Sequence, residues 1–411
     1  MSEPEPMVAR IGLLGRGTVG GAFHDLLGER ASAVEAASGR RPQISGVLRR
    51  DVGDFDAILA DSDLIVELIG GLEPARSHVL AALAAGVPVV TANKQLVARH
   101  GDELFEAARG AGVQLRFEAA VAGAVPVIRV VQESLGTIPL ERISGIVNGT
   151  TNFILSEMSS SGAPYAEVLA RAQELGYAEA DPSEDVDGAD AAAKMAILAR
   201  LGFHTPVDLD DVTYEGITEI RPDDIAYARE LGLSLKLLGV AERHGEAISV
   251  RVFPCFLYRG HPLAPVEGPF NAVTVEAPAI TEITISGPGA GGVETASAVL
   301  SDVVSILAGE APVHLPGRRL EVLRDLDSAF YLHLEVADQP GVLATIAEVL
   351  GRGGISVKSV VQRGSGSDAR LVMVTHRAAE SAFYGALEEI SELDVMRAPP
   401  RAIRVVEEEY K

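Results

Sequence analysis

Short apolar runs alternate with longer segments of helical spacing over the first third of the chain. Val8 to Leu14 is one such run, and Leu64 to Ile69 is another, interrupted only by Glu67. Runs of this length without polar alternation suit parallel strands buried on both faces. Ile44 to Leu48, Val87 to Thr91 and Val113 to Phe117 extend the set. Amphipathic stretches lie between them: Thr18 to about Gly28, Pro74 to Ala85 with Gly86 as a stop, and the segment after Thr91 to Gly110. Such alternation predicts an α/β unit around a parallel sheet.

From Pro126 to about Leu315 the pattern loosens. Helical spacing marks 127–135, 164–175 and 188–201, and strand-like runs cover Ala247 to Phe256 and Ala272 to Glu276. A glycine-rich stretch, Gly287 to Gly292, precedes an apolar helical run from Thr295 to Leu307. After a charged connector from Leu315 to Asp327, a new module begins at Phe330. Its order is strand 330–336, helix 341–352, strand 355–361, strand 369–375 and helix 378–390. A last strand falls at 393–397 or at Arg401 to Val406. That is the β-α-β-β-α-β order of ferredoxin-like modules.

Composition narrows the class. The 411 residues carry 35 basic and 58 acidic side chains, a net charge of −23. This balance disfavours non-specific binding to DNA or anionic lipid, and no basic recognition segment is present. Cys255 is the one cysteine, which excludes an internal disulfide and a cysteine metal site. No stretch reaches the ~18 apolar residues of a membrane span. Met1 to Pro6 lacks a basic then apolar leader pattern, so a cytoplasmic location is expected.

The chemistry-bearing motifs come in order. Gly15-Arg16-Gly17-Thr18-Val19-Gly20 follows a strand and opens a helix, as the G-x-G-x-x-G dinucleotide fingerprint requires. The first glycine permits the turn, the second lets a pyrophosphate approach, and the third lets the helix pack on the strand. The second strand ends in Arg49 and Arg50 rather than in an acidic residue. Arginine there suits the 2′-phosphate of NADP, with a pair of solvated arginines as the plain alternative. Lys94, in Thr91-Ala92-Asn93-Lys94, follows the C-terminal end of a strand, where open parallel sheets bind ligands. It could equally be an exposed lysine opening a helix. The densest group is Gly176-Tyr177-Ala178-Glu179-Ala180-Asp181-Pro182, then Asp185, Asp187, Asp190 and Lys194. Asp190 and Lys194 share one helix face among small and apolar neighbours. A lysine buried among carboxylates points to chemistry, although an acidic cap with one ion pair would read the same way.

Taken together, the fingerprint, Thr91 to Lys94, Asn148-Gly149-Thr150-Thr151-Asn152, the Gly176 to Pro182 run with Asp190 and Lys194, and Gly287 to Gly292 resemble the homoserine dehydrogenase family from about residue 8 to 315. The segment from about 330 onward resembles an ACT domain, with Asp338-Gln339-Pro340-Gly341-Val342-Leu343 as its strand-to-helix loop. The resemblance implies a Rossmann-type domain over 1–130, completed by about 287–312. It also implies an α+β substrate and dimerisation domain over 131–315 and a ferredoxin-like ACT domain over 328–411.

The resemblance further implies reversible NAD- or NADP-dependent reduction of L-aspartate 4-semialdehyde to L-homoserine, on the way to threonine, methionine and isoleucine. It makes Lys194 the proton donor, Asp190 its orienting partner, and Lys94 a neighbour of both cofactor and substrate. Glu179 would bind the substrate amino group, with Asp185 assisting. Gly291 and Thr295 would approach the cofactor. Glu118 with the backbone carbonyls of Val121, Gly123 and Val125 would hold Na⁺; Ala122 and Ala124 stand where the family often has glycine. Asp338, Gly341, Val342 and Leu343 would contact an amino-acid effector, L-threonine first, unless the module serves assembly alone. A homodimer or homotetramer is expected. Another semialdehyde dehydrogenase on the same scaffold and a non-catalytic amino-acid sensor are the alternatives.

Overall fold

The structure, a computed structural model, describes residues 7–50, 52–310, 317–366 and 369–406. The N-terminal residues to Pro6, Asp51, and Leu315 at the head of the connector lie outside the described residues. The first unit runs β1 (Met7–Leu14), α1 (Thr18–Ser38), β2 (Arg40–Leu48), α2 (Phe55–Ala60) and β3 (Leu64–Glu67). It continues through α3 (Ala75–Ala84), β4 (Val89–Thr91), α4 (Lys94–Ala111) and β5 (Leu115–Arg116). All five strands are parallel, in the order β2-β1-β3-β4-β5. The predicted parallel sheet is therefore present, and β3, β4 and β5 are fully buried, whereas the edge strand β2 is mostly half-buried. Helix α1 outruns its predicted end at Gly28 and stops at Gly39, in the left-handed region at φ 72°. Gly28 lies in open space on the helix, so nothing there forces a break.

The middle of the chain holds α5 (Val127–Arg129) running into a π turn, β6 (Arg142–Ile146), α6 (Gly149–Ser161), α7 (Tyr165–Glu174), α8 (Ser183–Val186) and α9 (Ala189–Phe203). Then come β7 (Thr213–Tyr214), α10 (Pro222–Glu230), β8 (Leu233–His244), β9 (Ala247–Tyr258), β10 (Phe270–Ala277), β11 (Thr281–Pro288) and α11 (Gly292–Ala308). Helix α9 is apolar around nearly its whole circumference, because it runs through the core between α4 and the strands β8 and β9. Helix α11 returns to the first unit: Ala296, Val299, Val303 and Leu307 share a core with Phe23, Leu27, Ile11 and Leu13.

The last unit runs β12 (Glu321–Val322), β13 (Asp327–Glu335), α12 (Val342–Arg352), β14 (Val357–Arg363), β15 (Arg370–Thr375), β16 (Ala378–Ala379), α13 (Glu380–Ser391) and β17 (Arg401–Val406). The third strand of the chain's C-terminal module is thus as expected, and the second lies two residues later. The last is β17, not 393–397, where Met396 makes only an isolated bridge to Val336. Pro399 and Pro400 carry no N–H for a ladder, so pairing resumes after them. The sheet order is β17-β13-β15-β14. Its edge strand β17 pairs in parallel with β9, Arg404 against Cys255, and this joins the module to the middle sheet as one 12-stranded sheet. Among the described residues no helix is long and apolar enough to cross a membrane.

Candidate active site

Helix α9 starts at Gly188, whose φ of 90° favours glycine and whose missing Cβ lies only 3.1 Å from the Glu215 carbonyl. This tight start puts Asp190 in the first helical turn, where the helix dipole favours a negative charge. One turn on, the Lys194 ammonium donates to Asp190 Oδ2 at 2.7 Å and to the Val147 carbonyl at 2.7 Å. The Lys94 ammonium, from the first residue of α4 in the other unit, sits 2.5 Å from Asp190 Oδ1. Asn148 Nδ2 donates to Asp190 Oδ2 at 2.9 Å and to Asp185 Oδ1 at 2.6 Å, while its Oδ1 caps α6 by accepting from Thr151 N. The structure thus brings Lys94, Asp185, Asp190 and Lys194 together.

The electrostatics follow from this geometry. Burial opposes the Asp190 charge, yet the two lysines hold its carboxyl well below the ordinary carboxylate range. Burial also opposes the Lys94 charge, and Asp190, Glu184 and Asp185 overcome it and raise its pKa. Asp185 is pushed the other way, upward, by burial and by Asp190 against the bond from Asn148. Asp190 is 2% exposed, whereas the side chains of Lys194 and Lys94 are 13% and 33% exposed. An ammonium has three donors. Lys194 spends two of them inside the cluster, so one remains unspent. A cleft of about 610 Å³ follows the same boundary, lined by Gly71, Leu72, Gln95, Arg99, Glu184 and Ala189.

The cofactor residues form a second group. Gly15 adopts φ 96°, and a Cβ there would lie 2.4 Å from the Leu68 carbonyl; one on Gly20 would lie 2.1 Å from the Gly15 carbonyl. A Cβ on Gly17 would meet nothing within 4 Å. Two glycines are needed for packing and the third borders open space, as a backbone that receives a pyrophosphate requires. Thr18 is exposed and Val19 half-buried at the start of α1. Gly291 precedes α11, and a Cβ on Gly292 would lie 3.1 Å from Thr18 Cγ2. The N-termini of α1 and α11, with Thr295 in the first turn of α11, therefore converge on one place and favour an anion there. These residues fit a dinucleotide. Arg49 and Arg50 are exposed at the end of β2, where Arg49 pairs with Val52.

Glu179 is exposed, and its carbonyl rather than its carboxylate makes a contact, accepting from Gln173 Nε2 at 3.0 Å. Among the described residues, no hydrogen bond or ion pair links it to the lysine cluster. Glu118 is buried and accepts from Ile128 N and Arg129 N, while its own N–H donates to Asp302. Burial first, and then Asp302, push its carboxyl up to about 7; burial pushes Asp302 up to about 6. Val121, Gly123 and Val125 are buried in the stretch that follows it; the Val125 carbonyl accepts from Val127 N at 2.8 Å, and no backbone N–H among the described residues bonds the carbonyls of Val121 or Gly123. Orphaned buried carbonyls with a carboxyl lacking enough countercharge make an all-oxygen set that fits a hard cation. Ala122, where the family often has glycine, adopts φ 58°, a region alanine rarely enters. In the C-terminal module, Asp338, Gly341, Val342 and Leu343 line a cavity of about 370 Å³ with Gln362 and Leu371.

Asn148, Val147 and Asn271 have no role in the sequence reading. Asn148 was within reach, because the Asn-Gly-Thr-Thr-Asn run sits between a strand and a helix. Asn271, which donates to the Val147 carbonyl at 3.2 Å, leaves no local signal.

Comparison with known proteins places this geometry in context. Residues 126–304 match the family model for homoserine dehydrogenase, residues 15–118 the one for the homoserine dehydrogenase NAD binding domain, and residues 331–395 the ACT domain. A homoserine dehydrogenase of Synechocystis is 42% identical over 97% of this chain and all of its own. The crystal structure of a homoserine dehydrogenase from Thiobacillus denitrificans superposes with a TM-score of 0.90 at 38% identity, covering 97% of this chain and 98% of that one. A hyperthermophilic archaeal homoserine dehydrogenase in complex with NADPH matches at TM-score 0.64 and 27% identity, over 75% of this chain and all of its own.

Proposed function

This chain belongs to the homoserine dehydrogenase family, NAD(P)-dependent oxidoreductases, and on that premise we propose how its residues divide the work. It interconverts L-aspartate 4-semialdehyde and L-homoserine in the cytoplasm, a step toward threonine, methionine and isoleucine. The bound nicotinamide supplies the hydride in the reductive direction. As the aldehyde carbon receives it, negative charge gathers on the carbonyl oxygen, and the free N–H of Lys194 meets that charge and then gives up its proton. In the oxidative direction the same amine takes the hydroxyl proton. Asp190 keeps both ammonium groups at the reaction centre, and Lys94 adds positive charge on the cofactor side. Glu179 and Asp185 receive the substrate ammonium; Glu179 has to swing in from its exposed loop. The single observation carrying this reading is Asp190 clasped between Lys94 and Lys194 from two different units.

The dinucleotide lies across Gly15, Gly17, Thr18, Val19 and Gly20, with Gly291 and Thr295 opposite and Arg49 and Arg50 on the 2′-phosphate of NADP. Na⁺ is held by Glu118 and the carbonyls of Val121, Gly123 and Val125. The ACT module binds L-threonine at Asp338, Gly341, Val342 and Leu343 and restrains activity. The three units divide near 130 and near 315–328. Dimers or tetramers form through edge strands such as β11 and β14, where Ile283 and Val360 are exposed. Steady-state assays with each nicotinamide cofactor, with and without threonine, test this reading. NADPH preferred over NADH, with inhibition by threonine that Asp338→Ala abolishes, is the expected result. Full activity that ignores threonine would leave the module with assembly alone.

A further inference from the structure

The one polar residue in the β3 run, Glu67, is fully buried at the strand's C-terminal end. There it pairs in register with Leu14, at the edge of the dinucleotide turn, and with Thr91, at the end of β4. Its contacts are specific. Oε1 accepts from the backbone N–H groups of Ile69 at 2.7 Å and Gly70 at 3.3 Å; Oε2 accepts from the Thr91 hydroxyl at 2.5 Å. The same Thr91 oxygen accepts from Asn93 N at 3.0 Å. Asn93 Nδ2 reaches back to the Gly71 carbonyl at 2.6 Å, and its Oδ1 caps α4 by accepting from Leu96 N at 3.1 Å. The residue after Asn93 is Lys94. The loop that Glu67 holds is also the one whose Leu68 carbonyl abuts Gly15.

No cation pairs with this carboxylate among the described residues, so its burial is costly and is met only by donors from two loops. A strand end needing nothing but packing would carry an apolar residue. We propose that Glu67 is a positioning residue: through Thr91 and Asn93 it fixes the start of α4, and so holds Lys94 at a set distance from the cofactor turn and from Asp190. This rests on the role given above to Lys94.

The test compares Thr91→Val, Glu67→Gln and their double variant, with Thr91→Ser as the conservative rescue and Lys94→Met as the reference. Each is measured for kcat, KM, NADPH affinity by fluorescence, and melting temperature. Thr91→Val is expected to lower kcat by ~10–100-fold with NADPH affinity within about threefold of the parent, because the loss falls on orientation rather than on cofactor binding. The double variant should lose no more than the worse single, as members of one relay do. Thr91→Ser should recover most of the rate, which a general packing defect would not allow. Should Glu67→Gln fail to fold, the Thr91 pair still decides. Wild-type kcat in Thr91→Val beside an impaired Lys94→Met, or single losses that multiply, would overturn the relay. Full kcat in Lys94→Met would overturn the role of Lys94 itself.

Discussion

Two of the buried ion-pair clusters among the described residues bear comparison, one at the junction of the first two units and one where the C-terminal module meets the middle sheet. At the first, Asp190 holds Lys94 and Lys194, and Lys194 keeps one donor in reserve. At the second, Glu380 accepts Arg404 through Nε and Nη2 at 2.9 and 2.6 Å, Arg251 at 2.7 Å and the Ser328 hydroxyl at 2.6 Å. Arg404 spends its remaining arm on Glu215 at 2.7 Å and lies over the rings of Phe253, Phe330 and Tyr384. Both clusters hold buried charge. The difference lies in what is left over: a bidentate guanidinium between aromatic rings has its geometry filled, whereas a lysine with a spare N–H can still act on something that arrives. Burial of charge marks both places; unused donor capacity marks only the first, which is where the reaction centre is proposed. The third such group, Asp223, Asp224 and His333, has carboxylates and an imidazole close enough to suggest a metal. Arg401, 2.9 Å from Asp223 and 3.3 Å from Asp224, already supplies the cation there.

The largest expected effect lies at the first cluster. Lys194→Ala should lower kcat by ~10²–10⁴-fold while NADPH binding measured by fluorescence stays near normal. Asp190→Asn should come next, at ~10²-fold, because the two ammonium groups lose their shared counterion. It should also change the acid limb of stability. The depressed Asp190 carboxyl adds stability that is fully present above its unfolded pKa near ~4 and is lost as pH falls below that, so the variant should show a shallower loss in acid melts.

At the second cluster the signature is inverted. Arg404→Met should cost on the order of 3–5 kcal/mol, because Glu380 is left buried with fewer partners. Calorimetry should show the module's transition falling while the unregulated kcat holds. A collapse of kcat matching that of Lys194→Ala would erase the distinction between the two clusters.

Glu118 and Asp302 sharpen the contrast with a buried acid pair whose burial outweighs its cations, Arg129 at 3.8 Å from Asp302 among them. With their carboxyls raised to about 7 and about 6, their contribution is fully present below the ordinary carboxylate range and is lost as pH rises through 6 to 7. Without Na⁺ the melting temperature should therefore drop between pH 5 and 8. Added Na⁺ should restore it at pH 8, and Glu118→Gln should remove both effects. The smallest effect is expected at the surface: Arg50→Ala should raise KM for NADPH by up to ~10-fold and leave NADH nearly unchanged, as an exposed charge contact allows.

How much of this could be read beforehand depended on whether the signal was local. Buried parallel strands announce themselves as unbroken apolar runs, so β1, β3 and β4 were legible, as was α9, whose four-residue spacing places Asp190 and Lys194 on one face. Strand β8 was not, because Lys236 and Gly239 interrupt its apolar run, and its pairing with β9 across Gly245 and Glu246 is visible only in space. The parallel seam from β17 to β9 joins residues about 150 apart in the chain and has no sequence signature. In the site, the lysines and Asp190 were named from motif and spacing. The groups that aim them, Asn148, the Val147 carbonyl and the Glu67–Thr91–Asn93 chain, act through contacts between separate loops. Glu67 did leave a trace, as the one charge inside an apolar strand.

The most direct test of the central claim is a crystal structure of the complex with NADPH and a non-reacting homoserine analogue. The Lys194 Nζ should lie within hydrogen-bond reach, about 3 Å, of the analogue's C4 oxygen while still bonded to Asp190. A Lys194 side chain turned away to bulk water, with that oxygen met by another group, would contradict it.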